Sequence, residues 1–479
     1  MKYYLWSFLN TILTRGFAFI FSIILGNLLL PDDLGLYVTV ILVITYFANI
    51  LSFNLGSGII QKLNDKKEQE FRNHYFTAGL LYILMFSLVG ALIFLLLKDF
   101  IAQIFDISDA GYILNLALLL IPLTMLRMFF QHILQSEMEF RKLTYINLIA
   151  VAIQIVVVVI LVYLGYSLKG VFYGLYAAEM LGLTLAASIV FRRFSLLVSK
   201  ETYQKASSLL KFSGIIFIGS LAVLLDKRVD MLFVAHYMDK STVAVYHYAL
   251  KFSLFFLLLG NSFSKVTYPR FTKAFTNHST FTLSRLFRFS IDFSFLFITI
   301  ASMIFLFNAE YIIDWLLPSD YLEVLPFLMI LFIGIVPKAI VSSTGTVFTA
   351  KGIPSVSAKI NWGLLALNVI LNMLLIPRYG LYGAAIATST TFILKPALVF
   401  YLLSVKTEIR YDYPKLIFGF FVFVAFLLLG EALTHLYMKE FLIILYSLYC
   451  VIYFLKKEEK VYLYQQLSQI NKQVINYIR

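Results

Sequence analysis

Seven basic side chains fall inside apolar stretches of the chain: Arg15, Arg127, Lys227, Arg228, Lys251, Lys338 and Lys395. A charge at bilayer depth costs roughly 2.5 to 3.5 kcal/mol on insertion scales, so such residues mark wet cavities and transport pathways. Arginine and lysine bind phosphate through charge-assisted hydrogen bonds, and pairing with phosphate offsets part of the desolvation cost. The chemistry expected of these residues is therefore non-covalent capture of an anion, with a diphosphate as the best fit. Intramembrane carboxylates are fewer: Glu179, Asp226, Asp230 and Asp292, the last expected near the surface. Asp226 and Asp230 stand one helical turn apart. For them and Glu179 two readings stand side by side, structural ion pairs or a proton or cation coupling site.

Covalent chemistry finds no support. Cys450 is the single cysteine, which excludes an intramolecular disulfide and a cysteine metal centre. The six histidines are scattered. No metal cluster, nucleophile with its base, or phosphate-binding glycine loop is present, so no catalytic residue and no cofactor is expected. Without a nucleotide motif, the energy source expected is a proton or sodium gradient or the membrane potential.

The elements that must position these residues follow from composition. Hydrophobic residues make up 61% and charged residues 14%, against about 45 to 50% and about 25% in soluble domains. This predicts an all-α polytopic membrane protein. A spanning helix needs about 20 apolar residues, which places spans at 5–30, 35–60, 75–97, 111–134, 144–164, 170–191, 212–236, 242–263, 289–308, 323–349, 358–376, 380–404, 414–433 and 440–455. The first is read as a retained helix, because no small-residue cleavage site follows it.

Loop charge supports this layout, because cytoplasmic loops retain Lys and Arg. With the N-terminus inside, 27 of the 39 basic residues fall in inner segments, five in outer loops and seven within spans. Both termini are expected in the cytoplasm, and the formal charge of +13 reflects this bias rather than nucleic-acid binding. The basic, amphipathic segments 192–211 and 265–288 are expected along the anionic inner leaflet.

The spans carry an internal repeat. Leu25-Gly26-Asn27 through Leu34-Gly35-Leu36-Tyr37 is similar to Val234-Ala235-His236 through Val243-Ala244-Val245-Tyr246 at a shift of 209. Ile146-Asn147 parallels Ile360-Asn361 at 214, and Tyr166 to Gly170 parallels Tyr379 to Gly383 at 213. Six spans per copy give both copies the same orientation, a parallel repeat with its axis along the membrane normal. The organisation expected is a six-helix lobe over 1–191, a cytoplasmic linker over 192–211, a second six-helix lobe over 212–405, and two extra spans with a cytoplasmic tail over 406–479. Transporters of this type hold substrate near the midplane between the halves.

The segment Asn368-x3-Asn372-x4-Pro377-x2-Gly380-x2-Gly383-Ala384-Ala385-x-Ala387-Thr388 resembles the signature of the lipid-linked oligosaccharide flippases of polysaccharide biosynthesis, within the multidrug, oligosaccharidyl-lipid and polysaccharide exporter superfamily. Leu34-Gly35-x-Tyr37, Gly56-x-Gly58 with Gln61-Lys62, and Asp226-Lys227-Arg228 ahead of Ala244-x-Tyr246 fit the same pattern, although the family commonly has Gly at the position of Ala244. Asn368 and Asn372 share a helix face and can bond to a neighbouring helix, and the small residues after Gly380 permit close packing.

The resemblance implies two lobes around a central cavity, translocating a polyprenyl-diphosphate-linked oligosaccharide to the outer leaflet by alternating access. It also implies the inner membrane of a bacterium as the location, and a polysaccharide polymerase and glycosyltransferases as partners. At about 1.5 Å per residue, Arg15, Lys251 and Glu179 fall near the midplane. Arg127, Lys338 and Lys395 lie toward the cytoplasm, and Lys227 and Arg228 at or just outside the middle. Two other function classes stand against this reading. A multidrug or cation antiporter of the same superfamily wants an acidic, aromatic cavity, which the surplus of basic residues opposes. A membrane polymerase or ligase needs a large outer loop as catalytic platform, and the longest outer loops run only about 13 to 14 residues.

Overall fold

The computed structural model describes residues 2–107, 111–226, 228–276, 280–342, 344, 347–433 and 435–454. The expected basic tail after Phe454 lies outside the described residues, as does Lys227. All regular structure among them is helical, as the composition requires: in hydrocarbon every backbone N–H and C=O must find its partner within the segment.

The helices in chain order are α1 (Lys2–Leu28), α2 (Pro31–Leu51), α3 (Leu55–Asn64), α4 (Arg72–Ile104), α5 (Gly111–Leu118), α6 (Leu120–Ser136), α7 (Phe140–Leu161), α8 (Ser167–Val190), α9 (Lys200–Asp226) and α10 (Val229–Tyr237). They continue with α11 (Lys240–Thr276), α12 (Thr280–Phe307), α13 (Ala309–Leu316), α14 (Leu325–Ser342), α15 (Val347–Ala350), α16 (Pro354–Lys406), α17 (Tyr413–Glu431) and α18 (Leu436–Phe454).

Eleven segments among the described residues are long and apolar enough to cross a membrane, and Leu13–Leu28 is a shorter apolar helix. The protein is a multi-pass membrane protein. Two of the eleven, Phe140–Val190 and Pro354–Lys406, are 51 and 53 residues long. Each holds two of the expected spans, joined by a backbone break. The first breaks at Gly165, with φ 88°, and the second at Gly380, with φ 55° and ψ −134°. A side chain rarely adopts the conformation at Gly380. The glycine of the Pro377-x2-Gly380 motif thus turns the chain where α16 would otherwise run on as one rod.

Two compact units make up the chain. One comprises Met1–His247, Leu316–Asp320 and Asn372–Leu381, the other Tyr248–Trp315, Tyr321–Leu371 and Tyr382–Arg479. In the first unit the segment before α9 is fastened to its neighbours. Ser195 N donates to Asn73 Oδ1 at 3.2 Å, Leu197 N donates to Thr77 Oγ1 at 2.9 Å, and Arg193 pairs with Glu137 and Glu139. In the second unit Asp292 is buried among protein side chains near the start of its expected span. It accepts hydrogen bonds from Tyr411 Oη at 2.5 Å and from Lys415 Nζ at 3.4 Å, tying the entry of α17 to α12.

Candidate functional site

Each unit contains a polar cluster built on its transmembrane helices. In the first, Arg127 on α6 donates from Nη1 to Glu179 Oε1 on α8 at 2.9 Å and from Nη2 to Asn147 Oδ1 on α7 at 3.3 Å. Gln131 Nε2 reaches the same Asn147 oxygen at 2.9 Å, and Asn147 Nδ2 donates to Asn10 Oδ1 on α1 at 3.3 Å. Gly182 makes room for the guanidinium, since a Cβ there would meet Arg127 Nε at 2.7 Å. The ion pair is mostly buried, its side chains 12% and 19% exposed. Opposite charges held this closely at low dielectric attract strongly enough to offset their desolvation only when the remaining polar atoms are satisfied. Here Arg127 Nε and Glu179 Oε2 are buried without a hydrogen bond.

In the second unit Lys395 Nζ on α16 donates to Asn361 Oδ1 at 2.9 Å, and Lys338 Nζ on α14 lies 3.2 Å from the centroid of the Phe392 ring. On the repeat, Asn361 occupies the place of Asn147 at the offset of 214. At the offset of 213, Phe392 stands where the first half has Glu179, and Lys395 where it has Gly182. Lys338 follows Arg127 by 211 residues, between the offsets on either side. Both halves therefore present a cation to an equivalent asparagine, but from different helices. The carboxylate that neutralises the first cluster is replaced by a phenyl ring in the second.

The remaining expected site residues separate. Arg15, midway along α1, is exposed and makes no hydrogen bond or ion pair with a described residue. Lys251 is half-buried on α11. Arg228 lies in the break between α9 and α10, where its N–H donates to Leu225 O at 3.4 Å and Tyr46 Oη donates to that same carbonyl at 3.2 Å. Asp230 is buried and accepts from Tyr246 Oη at 2.9 Å and from Met231 N at 2.8 Å. Asp226 ends α9. Asn368 Nδ2 donates to Thr391 Oγ1 at 3.4 Å, joining the two arms of α16 as a packing contact. Sequence reasoning missed Asn147, Gln131, Asn10 and Asn361 as partners of the charges. The matched Asn147 and Asn361 of the repeat were the signal that could have found two of them.

A family model described as "Polysaccharide biosynthesis protein" matches residues 24–326. The chain belongs to this family. Among curated polysaccharide biosynthesis relatives, the succinoglycan biosynthesis transport protein ExoT of Rhizobium meliloti is 25% identical over 52% of this chain and 48% of its own length. The probable low-salt glycan biosynthesis flippase Agl15 of Haloferax volcanii is 22% identical over 54% of each. The chain thus spans about half the length of the curated relatives it matches. The solved structure of the lipid II flippase MurJ in an inward closed conformation aligns with a TM-score of 0.70 at 16% identity, covering 94% of this chain and 98% of that one. The polysaccharide biosynthesis chain and MurJ share a fold.

Proposed function

We propose that the chain is a flippase that moves polyprenyl-diphosphate-linked oligosaccharide repeat units from the cytoplasmic to the outer leaflet of a bacterial inner membrane. The glycan serves cell-surface polysaccharide export, as O-antigen or exopolysaccharide. The observation that carries this reading is Arg15: a guanidinium midway along a membrane helix, exposed and unpaired among the described residues. A charge of this kind is expensive in lipid, and a diphosphate compensates it with paired, charge-assisted hydrogen bonds. Family membership and the names of the two curated relatives support the same cargo class.

In this reading both termini are cytoplasmic, and the lobes 1–191 and 212–405 rock about a midplane site. The segment 192–211 links the lobes, and 406–479 supplies two extra spans and the tail. The basic residues Arg15, Arg127, Lys227, Arg228, Lys251, Lys338 and Lys395 engage the headgroup. An ion gradient or the membrane potential supplies the energy, and Glu179, Asp226 and Asp230 divide between coupling and structural pairing. Glycosyltransferases that build the headgroup and a polymerase that consumes it are the protein partners implied.

The test is reconstitution of the purified chain into vesicles with a fluorescent polyprenyl diphosphate glycan, followed by reagent access to the opposite leaflet. Transfer faster than in protein-free vesicles is expected, with a loss of about tenfold or more in Arg15→Ala and Lys251→Ala, the scale of one charge-assisted hydrogen bond. Transfer equal to protein-free vesicles sinks the assignment.

A further inference from the structure

The helical path from α2 to α3 is broken at Ser52 to Asn54, where Phe53 and Asn54 are both left-handed at φ 48° and 52°. Two consecutive non-glycine residues in this conformation hold the backbone under local strain. The break sits at membrane depth: the Phe53 ring lies 6.3 Å from that of Phe86, two residues from the middle of the 33-residue α4. Irregular backbone at such depth is tolerated only where protein buries it or where it lines a wet cavity. A cavity of about 280 Å³ lies at this break, within the first unit.

Its lining is neutral. Asn49, Ser52, Asn54, Ser220 and His132 supply the polar atoms, Phe129 and Phe217 supply aromatic rings, and no Lys, Arg, Asp or Glu takes part. Asn54 Nδ2 donates to Ser220 Oγ at 2.9 Å and Asn49 Nδ2 to Thr45 O at 2.7 Å. The Oδ1 atoms of both asparagines carry no bond to a described residue and remain as acceptors for a ligand. Gly56 admits the imidazole to the wall, since a Cβ there would meet His132 Cδ2 at 1.9 Å and Nε2 at 2.4 Å.

A diphosphate would find no countercharge here, and a metal cation no carboxylate. Amide, hydroxyl and imidazole groups beside aromatic rings suit the hydroxyl-bearing edge and C–H face of a sugar. The volume, about nine waters at about 30 Å³ each, fits one pyranose ring. We infer that this cavity is a sugar subsite, holding one neutral ring of the glycan while the cationic residues hold the diphosphate. The inference rests on the flippase reading above.

The experiment compares the full chain in lipid nanodiscs with Asn54→Leu, Ser220→Ala and Phe217→Leu variants. The probes are a bare polyprenyl diphosphate and the same lipid carrying one glucose, galactose or N-acetylglucosamine. The expected result is that the native chain binds one of the glycosylated probes about tenfold more tightly than the bare lipid, and that each variant collapses this ratio toward one. Unchanged melting temperatures in Ser220→Ala and Phe217→Leu separate this effect from misfolding. Tight binding of the bare lipid with no sugar preference, or a preference that survives all three substitutions, overturns the subsite and leaves the diphosphate reading standing. A sodium dependence of binding that Asn54→Leu removes, with sugar preference intact, assigns the cavity to a cation and overturns it too. Binding of no probe at all overturns the flippase reading, and the subsite with it.

Discussion

Ser167 and Gly380 lie 213 residues apart and hold the same unusual backbone turn, φ 41° and ψ −128° in the serine, φ 55° and ψ −134° in the glycine. They are matched positions of the internal repeat, so the two copies share a backbone break as well as a residue pattern. A Cβ at Gly380 would meet only Met238 Sδ, at an ordinary 3.6 Å. Gly380→Ala is therefore expected to lose about 1 to 3 kcal/mol through backbone conformation rather than crowding. Thermal unfolding in detergent reads this directly, and a melting temperature equal to that of the native chain refutes it. Ser167→Gly relieves the same strain but gives up the Ser167 Oγ bond to Asp33 Oδ2, so a smaller net change is expected.

Arg127 and Glu179 should depend on each other. Removing one partner of a mostly buried pair leaves an uncompensated charge, at a cost of about 3 to 5 kcal/mol. Arg127→Met or Glu179→Met alone is expected to destabilise the chain more than the two together. A double-mutant cycle on unfolding free energies should show coupling above about 1 kcal/mol. Additive losses would remove the pair from the account of this cluster.

The phenyl ring at Phe392 separates the two clusters in charge. Phe392→Glu would give the second cluster the carboxylate of the first, drawing Lys338 into an ion pair. Transfer of a diphosphate lipid should fall about tenfold or more, whereas Phe392→Leu, which adds no negative charge, should lose little. Equal transfer by the Glu and Leu variants would mean that Lys338 does not meet the phosphate.

Acid should weaken the basic loops. Burial pushes the Glu139 carboxyl up, but hydrogen bonds and charge from Lys142 and Arg193 more than reverse this and hold it below the usual range. The backbone and side chains of Thr242 and Ser241 hold Asp239 low in the same way. A depressed carboxylate adds stability above its unfolded pKa of about 4, and that contribution disappears as pH falls through the lower folded value. Melting temperature measured downward from pH 6 should therefore drop less steeply in Glu139→Gln than in the native chain. An identical acid limb argues against the Lys142 and Arg193 contacts.

The sequence made the spans legible because hydrophobic length reports directly on bilayer crossing. It also marked the turn at Gly380, between the expected spans 358–376 and 380–404, where glycine takes the backbone conformation with least strain. The break at Phe53 and Asn54 escaped, since Phe53 carries no left-handed signal and the one that Asn54 offers was overridden by the apolar residues on either side of it within 35–60. The charges on Arg127 and Lys395 were visible, but their partners were not. Depth along a helix says how far a side chain has travelled, whereas the meeting of Arg127 with Glu179, 52 residues on, depends on how α6, α7 and α8 pack. The partners of Asp292 were hidden for the same reason, since Tyr411 and Lys415 reach it from beyond its own helix.

The Arg127–Glu179 pair also bears on how the protein is made. Arg127 leaves the ribosome 52 residues ahead of Glu179, a lag of roughly 3 to 10 s at about 5 to 20 residues per second. For that interval its helix carries a guanidinium whose counterion has not yet been synthesised. The nascent chain must either hold α6 beside the insertion machinery until α8 arrives or admit it to lipid with its charge uncompensated and recover it afterwards.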